Sequence, residues 1–255
     1  DFYLFHIQYL GFRYHGWMKQ PGVQTIESML EKTIRYVLGH SDFRILGASR
    51  TDAKVSANHS AFELFLKESL DPEYLVRQFN ENLPNDIRVL RVETVGPEFN
   101  IIQAPVSKEY LYLFSFGAKS HPFSAGLVYT FNDHLDIHLM KDGAQVFEGK
   151  HNFKSYCTKP GPGTRFERTI TTSVIDENTK YKAEFFPEET WCCRVESKGF
   201  MRNQVRLMMG QLIRLGRHEI LLDDLKQSLT GHVTSPLKTI APASGLILNR
   251  IVFET

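Results

Sequence analysis

The sequence predicts an α+β fold built around a mixed sheet. Three observations carry that prediction. Short runs with period-two apolar alternation occur in both halves of the chain, helical stripes fall between them, and their spacing is not that of regular βαβ units. The order strand, helix, strand, strand, helix, strand is followed by something similar again.

Phe2 to Tyr9 opens the chain as a half-buried strand, with Tyr3, Phe5, Ile7 and Tyr9 on one face. A loop rich in glycine and aromatic residues follows, Gly11 to Trp17. A helix is expected from Thr25 to Leu38. Thr25 caps it, Ile26, Leu30, Ile34 and Val37 form its buried stripe, and Gly39 ends it. Strands are expected at Arg44 to Ala48 and Ala61 to Leu66, with the loop Ser49 to Ala57 between them. Asp71-Pro72 starts a second helix, Asp as cap and Pro in the first turn, running to about Asn80. Ile87 to Val95 is a further strand. Gly96-Pro97 then marks a break, dividing the chain into subdomains 1–98 and 99–255.

In the second half, Tyr110, Tyr112, Phe114 and Phe116 alternate along one strand face. A helix spans Asp136 to Phe147, and strands are expected at Thr169 to Ile175, Tyr181 to Phe186 and Cys192 to Ser197. A long helix covers Phe200 to Leu215, a shorter one begins near Asp223, and Leu246 to Phe253 forms the last strand. There is no low-complexity segment and no strong short repeat.

Composition bounds what the chain can be. Its 255 residues are 42% hydrophobic and 23% charged, enough to bury a substantial core as one large domain or two coupled ones. The formal net charge of +1 gives no global attraction to nucleic acid, so any RNA surface must come from local clustering. Apolar runs are too short to span a bilayer, and the N-terminal residues lack the marks of a secretory signal. Cys157, Cys192 and Cys193 make an odd count with no zinc spacing, which points to a reducing, cytoplasmic compartment.

Three segments hold residue types suited to chemistry. Arg50-Thr51-Asp52 lies in a loop between two apolar strands, where a scaffold can present a carboxylate to a cleft. A neighbouring cation can keep such a carboxylate ionised, ready to act as nucleophile or general base. The same triplet also fits ordinary solvated turn chemistry. On the long helix, Arg202 and Arg206 are four apart and so share a face, while Val205, Met208, Met209 and Leu212 read as core. Arg206 is a candidate partner for Asp52, and Arg202 fits a snorkelling surface residue equally well. Tyr110 either stacks on an extruded base or is the first of four core aromatics. Basic residues gather at Lys150, Lys154, Lys159, Arg165 and Arg168, and again at Lys198, Arg202, Arg206, Arg214, Arg217 and His218.

Taken in order, these segments resemble the TruA family of tRNA pseudouridine synthases. The resemblance rests on Tyr14-His15-Gly16-Trp17 with Gln20 to Thr25, on Gly47-Ala48-Ser49-Arg50-Thr51-Asp52-Ala53, and on Asn82-Leu83-Pro84-Asn85-Asp86-Ile87. It continues through Lys108-Glu109-Tyr110-Leu111-Tyr112, Gly149-Lys150-His151-Asn152-Phe153, Phe200 to Arg206 with Gly210, and Ala241-Pro242-Ala243-Ser244-Gly245-Leu246. It spans essentially the whole chain.

The resemblance implies the pseudouridine synthase fold: two ferredoxin-like or RRM-like subdomains, a shared and mainly antiparallel sheet with helices packed on it, and a central active-site cleft. It implies isomerisation of uridine to pseudouridine in the tRNA anticodon stem-loop, at the family-typical positions 38 to 40, with no cofactor and no metal. Asp52 would be the catalytic carboxylate, Tyr110 would stack on the base and Arg206 would pair with Asp52. Arg50 would hold the target site open or contact phosphate. Beside the resemblance, Lys54, Lys108, Lys198, Arg202 and Arg217 are this sequence's own basic candidates for meeting the RNA. The partners implied are tRNA and a second copy of the chain in a homodimer, with no membrane.

Several positions depart from the family's pattern. Ser49 replaces a glycine, Lys54 replaces another, and Ser56 stands where His is common. A lysine at position 54 is strained if the loop needs positive φ there. Phe99-Asn100-Ile101-Ile102 lacks the arginine often found ahead of the aromatic strand, and Glu109 stands where a basic residue is frequent. A competing reading is therefore an RNA-binding or chaperone-like protein with the same fold and little catalysis. A metal-dependent hydrolase is a third class, but His15, His59 and His151 lack close ligand spacing.

Overall fold

The computed structural model describes residues 1–232 and 237–254. The chain forms two compact units, residues 1–106 with 248–255, and residues 107–247.

In the first unit, β1 (Phe2–Tyr9) runs antiparallel to β3 (Ser56–Phe65) on one side and β4 (Ile87–Thr94) on the other. The short β2 (Arg44–Gly47) pairs with the far end of β3, setting Arg44 opposite Phe65. Helix α1 (Ile26–Leu38) begins in a reciprocal cap: Thr25 Oγ1 accepts from the Ser28 amide, and Ser28 Oγ accepts from the Thr25 amide. It ends at Gly39 in the left-handed region, φ 75°. Helix α2 (Pro72–Asn82) is capped by Asp71, which accepts from the amides of Glu73 and Tyr74. Phe5 stacks on Phe62 at 4.6 Å and meets Phe79 of α2 at 4.8 Å, so α2 covers the face that carries Tyr3, Phe5 and Ile7.

Strand β1 is more enclosed than its alternation suggests. Leu4 and His6, on the opposite face, are also buried. The reason is long-range. Phe253 packs edge-on against His6, Phe99 packs against Phe253, and the Glu254 amide bonds to the Ala104 carbonyl. The end of the chain and the segment after β4 thus cover a face that reads as exposed locally. Strand β3 starts at Ser56 rather than Ala61. Its first half pairs with β1, but Asn58 and His59 break the apolar signature.

In the second unit, β5 (Pro105–Phe116, from Ser107 onward) pairs antiparallel with β9 (Trp191–Ser197), β9 with β8 (Glu167–Glu177), and β8 with β7 (Gly149–Asn152). The short β6 (Tyr129–Phe131) lies parallel to the end of β5, which makes the fold mixed but mainly antiparallel. Helices α3 (Ile137–Val146), α4 (Gln204–Gly216) and α5 (Leu222–Gln227) complete it, with α3 packed on both β8 and α4. The last strand, β10 (Leu246–Phe253), begins here and ends in the first unit. Strand β6, at three residues, is too short to stand out in the sequence, and β7 is both short and polar.

Two expectations fail in this unit. Tyr181 to Phe186 is a loop with a turn, not a strand. Both groups of the Asn178 side chain bond the Tyr181 backbone, and Phe186 N–H closes on the Ala183 carbonyl. Its apolar residues mimic a strand because Tyr181 and Phe186 anchor the loop on Leu111, Leu113, Val128 and Ile247. The long helix also starts at Gln204, not Phe200, because Asn203 adopts φ 60° and ends helical continuity. Arg202 therefore lies in the preceding turn and does not share a helix face with Arg206. Among the described residues, no helix is long and apolar enough to cross a membrane.

Candidate active site

Asp52 sits half-buried in the loop joining β2 to β3. The loop is held on both sides of Asp52 by main-chain bonds to residues 14–17. The Trp17 amide donates to the Thr51 carbonyl at 3.0 Å, and the Lys54 amide donates to the Tyr14 carbonyl at 3.0 Å. Gly16, at φ 89°, is required for this approach, since a Cβ there would lie 2.7 Å from the Thr51 carbonyl oxygen. A third tether is the buried pair of hydroxyls on Tyr9 and Thr51, 2.9 Å apart. Asp52 itself closes the turn, its carbonyl accepting from the Val55 amide at 3.2 Å. Arg50 is exposed beside it.

The bracing loop is anchored in turn. Tyr14, fully buried, donates its hydroxyl to Asp86 at 2.7 Å, and the Arg13 guanidinium grips the same carboxylate. Burial alone would raise the Asp86 pKa. The bonds from Arg13 and Tyr14 outweigh it and hold the carboxyl below its usual range. Burial and the Asp86 bond push the Tyr14 phenol well up, so it stays a neutral donor. Tyr14 and Asp86 fall within motifs read from the sequence and Tyr9 within a strand read there, but nothing local assigns them a task at the Asp52 loop.

The departures from the family pattern acquire a geometry here. Lys54 has φ 68°, the left-handed conformation that glycine adopts without strain. Ser49 is buried. Ser56 Oγ accepts from the Gly11 amide at 2.9 Å, fastening the start of β3 to the bracing loop.

The second unit carries Tyr110 and Arg206. Tyr110, opposite Val195 in the ladder, is half-buried, with its ring set edge-on to Phe200 at 5.3 Å. Tyr112 and Phe114 are fully buried, while Tyr110 and Phe116, at the two ends of the aromatic row, are half-buried. Arg206 stands in the first turn of α4. Its Nε donates to the Ala241 carbonyl at 2.8 Å, and its own carbonyl accepts from the Ala241 amide at 3.0 Å. The next carbonyl, of Pro242, accepts from the Tyr112 hydroxyl at 2.8 Å. Gly210 lets this segment lie on α4, because a Cβ there would come 2.1 Å from the Thr239 carbonyl oxygen. The aromatic strand, the arginine helix and the Ala-Pro-Ala-Ser-Gly segment thus meet in one hydrogen-bonded cluster.

The basic candidates differ in setting. Lys108 is half-buried, and burial lowers its ammonium pKa to about 8. Lys198 and Arg202 are exposed. Arg217 is ion-paired with Asp133 and lies 3.8 Å from Glu219, which neutralises it locally. Among the described residues, no group of three or more His, Cys, Asp or Glu is placed to hold a metal ion.

A mixed, mainly antiparallel α+β protein with an aspartate loop braced this tightly has the architecture of a pseudouridine synthase. Comparison with known proteins makes the assignment specific. The family model described as tRNA pseudouridine synthase matches residues 6–102 and 144–254. The tRNA pseudouridine synthase A of Dictyoglomus thermophilum is 30% identical over 248 residues, covering 96% of this chain and 96% of its own. That of Exiguobacterium sibiricum is 30% identical over 248 residues, covering 97% and 94%. The tRNA pseudouridine synthase A 1 of Protochlamydia amoebophila is 26% identical over 253 residues, covering 99% and 96%. The chain belongs to the TruA family of tRNA pseudouridine synthases, and as such is an isomerase.

Proposed function

We propose that this enzyme isomerises uridine to pseudouridine in the anticodon arm of tRNA, with Asp52 as its catalytic carboxylate. The reaction exchanges the glycosidic C1′–N1 bond for a C1′–C5 bond. The proton on C5 is lost and N1 gains one, so no cofactor is needed. Asp52 attacks the extruded nucleotide, at the base or at the sugar, and holds one fragment while the uracil turns. Tyr110 stacks on the base and assists proton transfer. Arg206 is the third member of the catalytic set, and Arg50, Lys54, Lys108, Lys198 and Arg202 meet the RNA backbone. Arg217 is the weakest member of that group, because Asp133 already occupies its guanidinium. The chain works as a homodimer in the cytoplasm, a reducing compartment that suits three cysteines without disulfides.

The observation that carries this reading is the double main-chain clamp on either side of Asp52, from Trp17 to Thr51 and from Tyr14 to Lys54. A nucleophile gains most when its approach is fixed before the substrate arrives. The test is to incubate the protein with unmodified tRNA and map pseudouridine. Wild-type protein should yield product in the anticodon arm. Asp52→Asn should yield none while binding the same tRNA about as tightly. Near-normal turnover by Asp52→Asn would disprove the mechanism. Binding without product by the wild type would instead favour the non-catalytic RNA-binding reading, which the strained Lys54 beside Asp52 supports.

A further inference from the structure

Phe12 is 42% exposed, at the tip of the turn Gly11–Tyr14 that the Tyr14 amide closes on the Gly11 carbonyl at 2.9 Å. That turn rests on the C-terminal end of the Asp52 loop. Gly11 lies so close that a Cβ there would be 1.9 Å from the Val55 carbonyl oxygen, and its amide bonds Ser56. The exposed Lys54 reaches back over the Phe12 ring, with Nζ 5.8 Å from its centroid. An aromatic face and a cation therefore stand together at the loop that carries Asp52. Phe12 leaves much of its ring in water, and Lys54 bears a left-handed backbone at φ 68° that a surface cation–π contact only partly offsets. Strain kept beside a reactive side chain points to a ligand. Arg13, on the same turn, is committed to Asp86 and holds the turn in place.

We propose that Phe12 and Lys54 form a subsite for one unpaired nucleotide of the RNA, next to the one that Asp52 attacks. The Phe12 ring stacks on its base, and the Lys54 ammonium meets an adjoining phosphate. A ring beside a cation is the pairing that holds single-stranded nucleic acid without reading its sequence. Such a subsite would hold the strand open next to the extruded uridine. The inference rests on the tRNA-modifying reading above and adds to it where the neighbouring nucleotide sits.

The test uses full-length protein and unmodified tRNA, with affinity measured across a salt series and product formation measured in parallel. Phe12→Leu should weaken binding by about 5- to 100-fold with little change in salt slope, and Phe12→Trp should restore it. Lys54→Asn, which keeps a residue tolerant of positive φ, should lower the salt slope by about one phosphate contact. Binding by Phe12→Leu within about twofold of wild type, or no recovery in Phe12→Trp, overturns the stacking role. An unchanged salt slope in Lys54→Asn overturns the phosphate contact. If the wild type makes pseudouridine and Phe12→Leu binds equally well, the subsite alone falls. If the wild type binds tRNA without product, the isomerase reading falls and the affinities still decide the subsite. No binding at all defeats both.

Discussion

The hydroxyl of Tyr9, at the end of β1, lies 2.9 Å from Oγ1 of Thr51, and the pair is buried. Thr51 immediately precedes Asp52, so this bond connects the sheet directly to the Asp52 loop. Tyr9→Phe removes one partner and leaves the other hydroxyl buried, at a cost of about 1–3 kcal/mol. We expect kcat to fall about tenfold with KM little changed, since the loop loses aim rather than RNA contacts. Single-turnover kinetics with tRNA would check this. Equal loss in kcat and affinity would mean that Tyr9 serves general stability instead.

Lys54→Gly should make the protein more stable. Relief of the left-handed strain gains about 1–2 kcal/mol, and the extra freedom of glycine in the unfolded chain returns part of it. The expected net gain is about 1 kcal/mol, seen as a rise in melting temperature of about 2–4 °C. No rise would mean that the lysine side chain contributes more to the fold than its contact with Phe12 suggests.

His6 should make stability depend on pH. Its ring is buried between strands, with Nδ1 2.8 Å from His59 Nε2 and Nε2 3.3 Å from Glu93. Burial, then the charges of Arg91 and His59, lower its pKa from 6.5 to about 4, against the smaller opposing pull of Glu93. Arg250 also faces the cluster, through His59, whose pKa is lowered chiefly by burial. The unfolded chain therefore binds more protons than the folded one between pH 6.5 and 4. Stability is full above about pH 6.5 and falls as the pH drops through that window, by about 3 kcal/mol in all. Urea unfolding at pH 7.5 and pH 5 would show it, and His6→Asn should flatten the difference.

Gly210→Ala tests the cluster around Arg206. The new methyl would meet the Thr239 carbonyl oxygen, which belongs to backbone and cannot swing aside. The 239–241 segment must then move off α4, loosening both bonds between Arg206 and Ala241. We expect a loss of about 1–3 kcal/mol in stability and a larger relative loss in turnover than in tRNA affinity. Turnover unchanged in a destabilised variant would separate this segment from the chemistry.

Local pattern carried a large share of the fold. Thr25, Gly39, Asp71 and Asp136 announce their helix ends because caps are short-range chemistry. Strands β1 and β10 are legible to the residue because both runs are rich in β-branched and aromatic residues. The loop at 181–186 misleads because anchoring a loop on a core asks for the same residues as a strand. The start of α4 misleads because the left-handed turn at Asn203 depends on its surroundings. Asn203 Nδ2 bonds Thr158, and the Arg202 carbonyl accepts from the Thr158 amide.

The sequence by itself determined the α+β class, most helix and strand positions, and the ordered motifs around Asp52, Tyr110 and Arg206. It could do so because propensity, capping and motif spacing act over a few residues. Only the tertiary structure decided that residues 14–17 clamp the Asp52 loop, that Asp86 anchors that clamp, and that Phe253 packs on a face of β1. Those relations join residues far apart in the chain, and their energies come from burial and from hydrogen-bond geometry that exists only once the chain has folded.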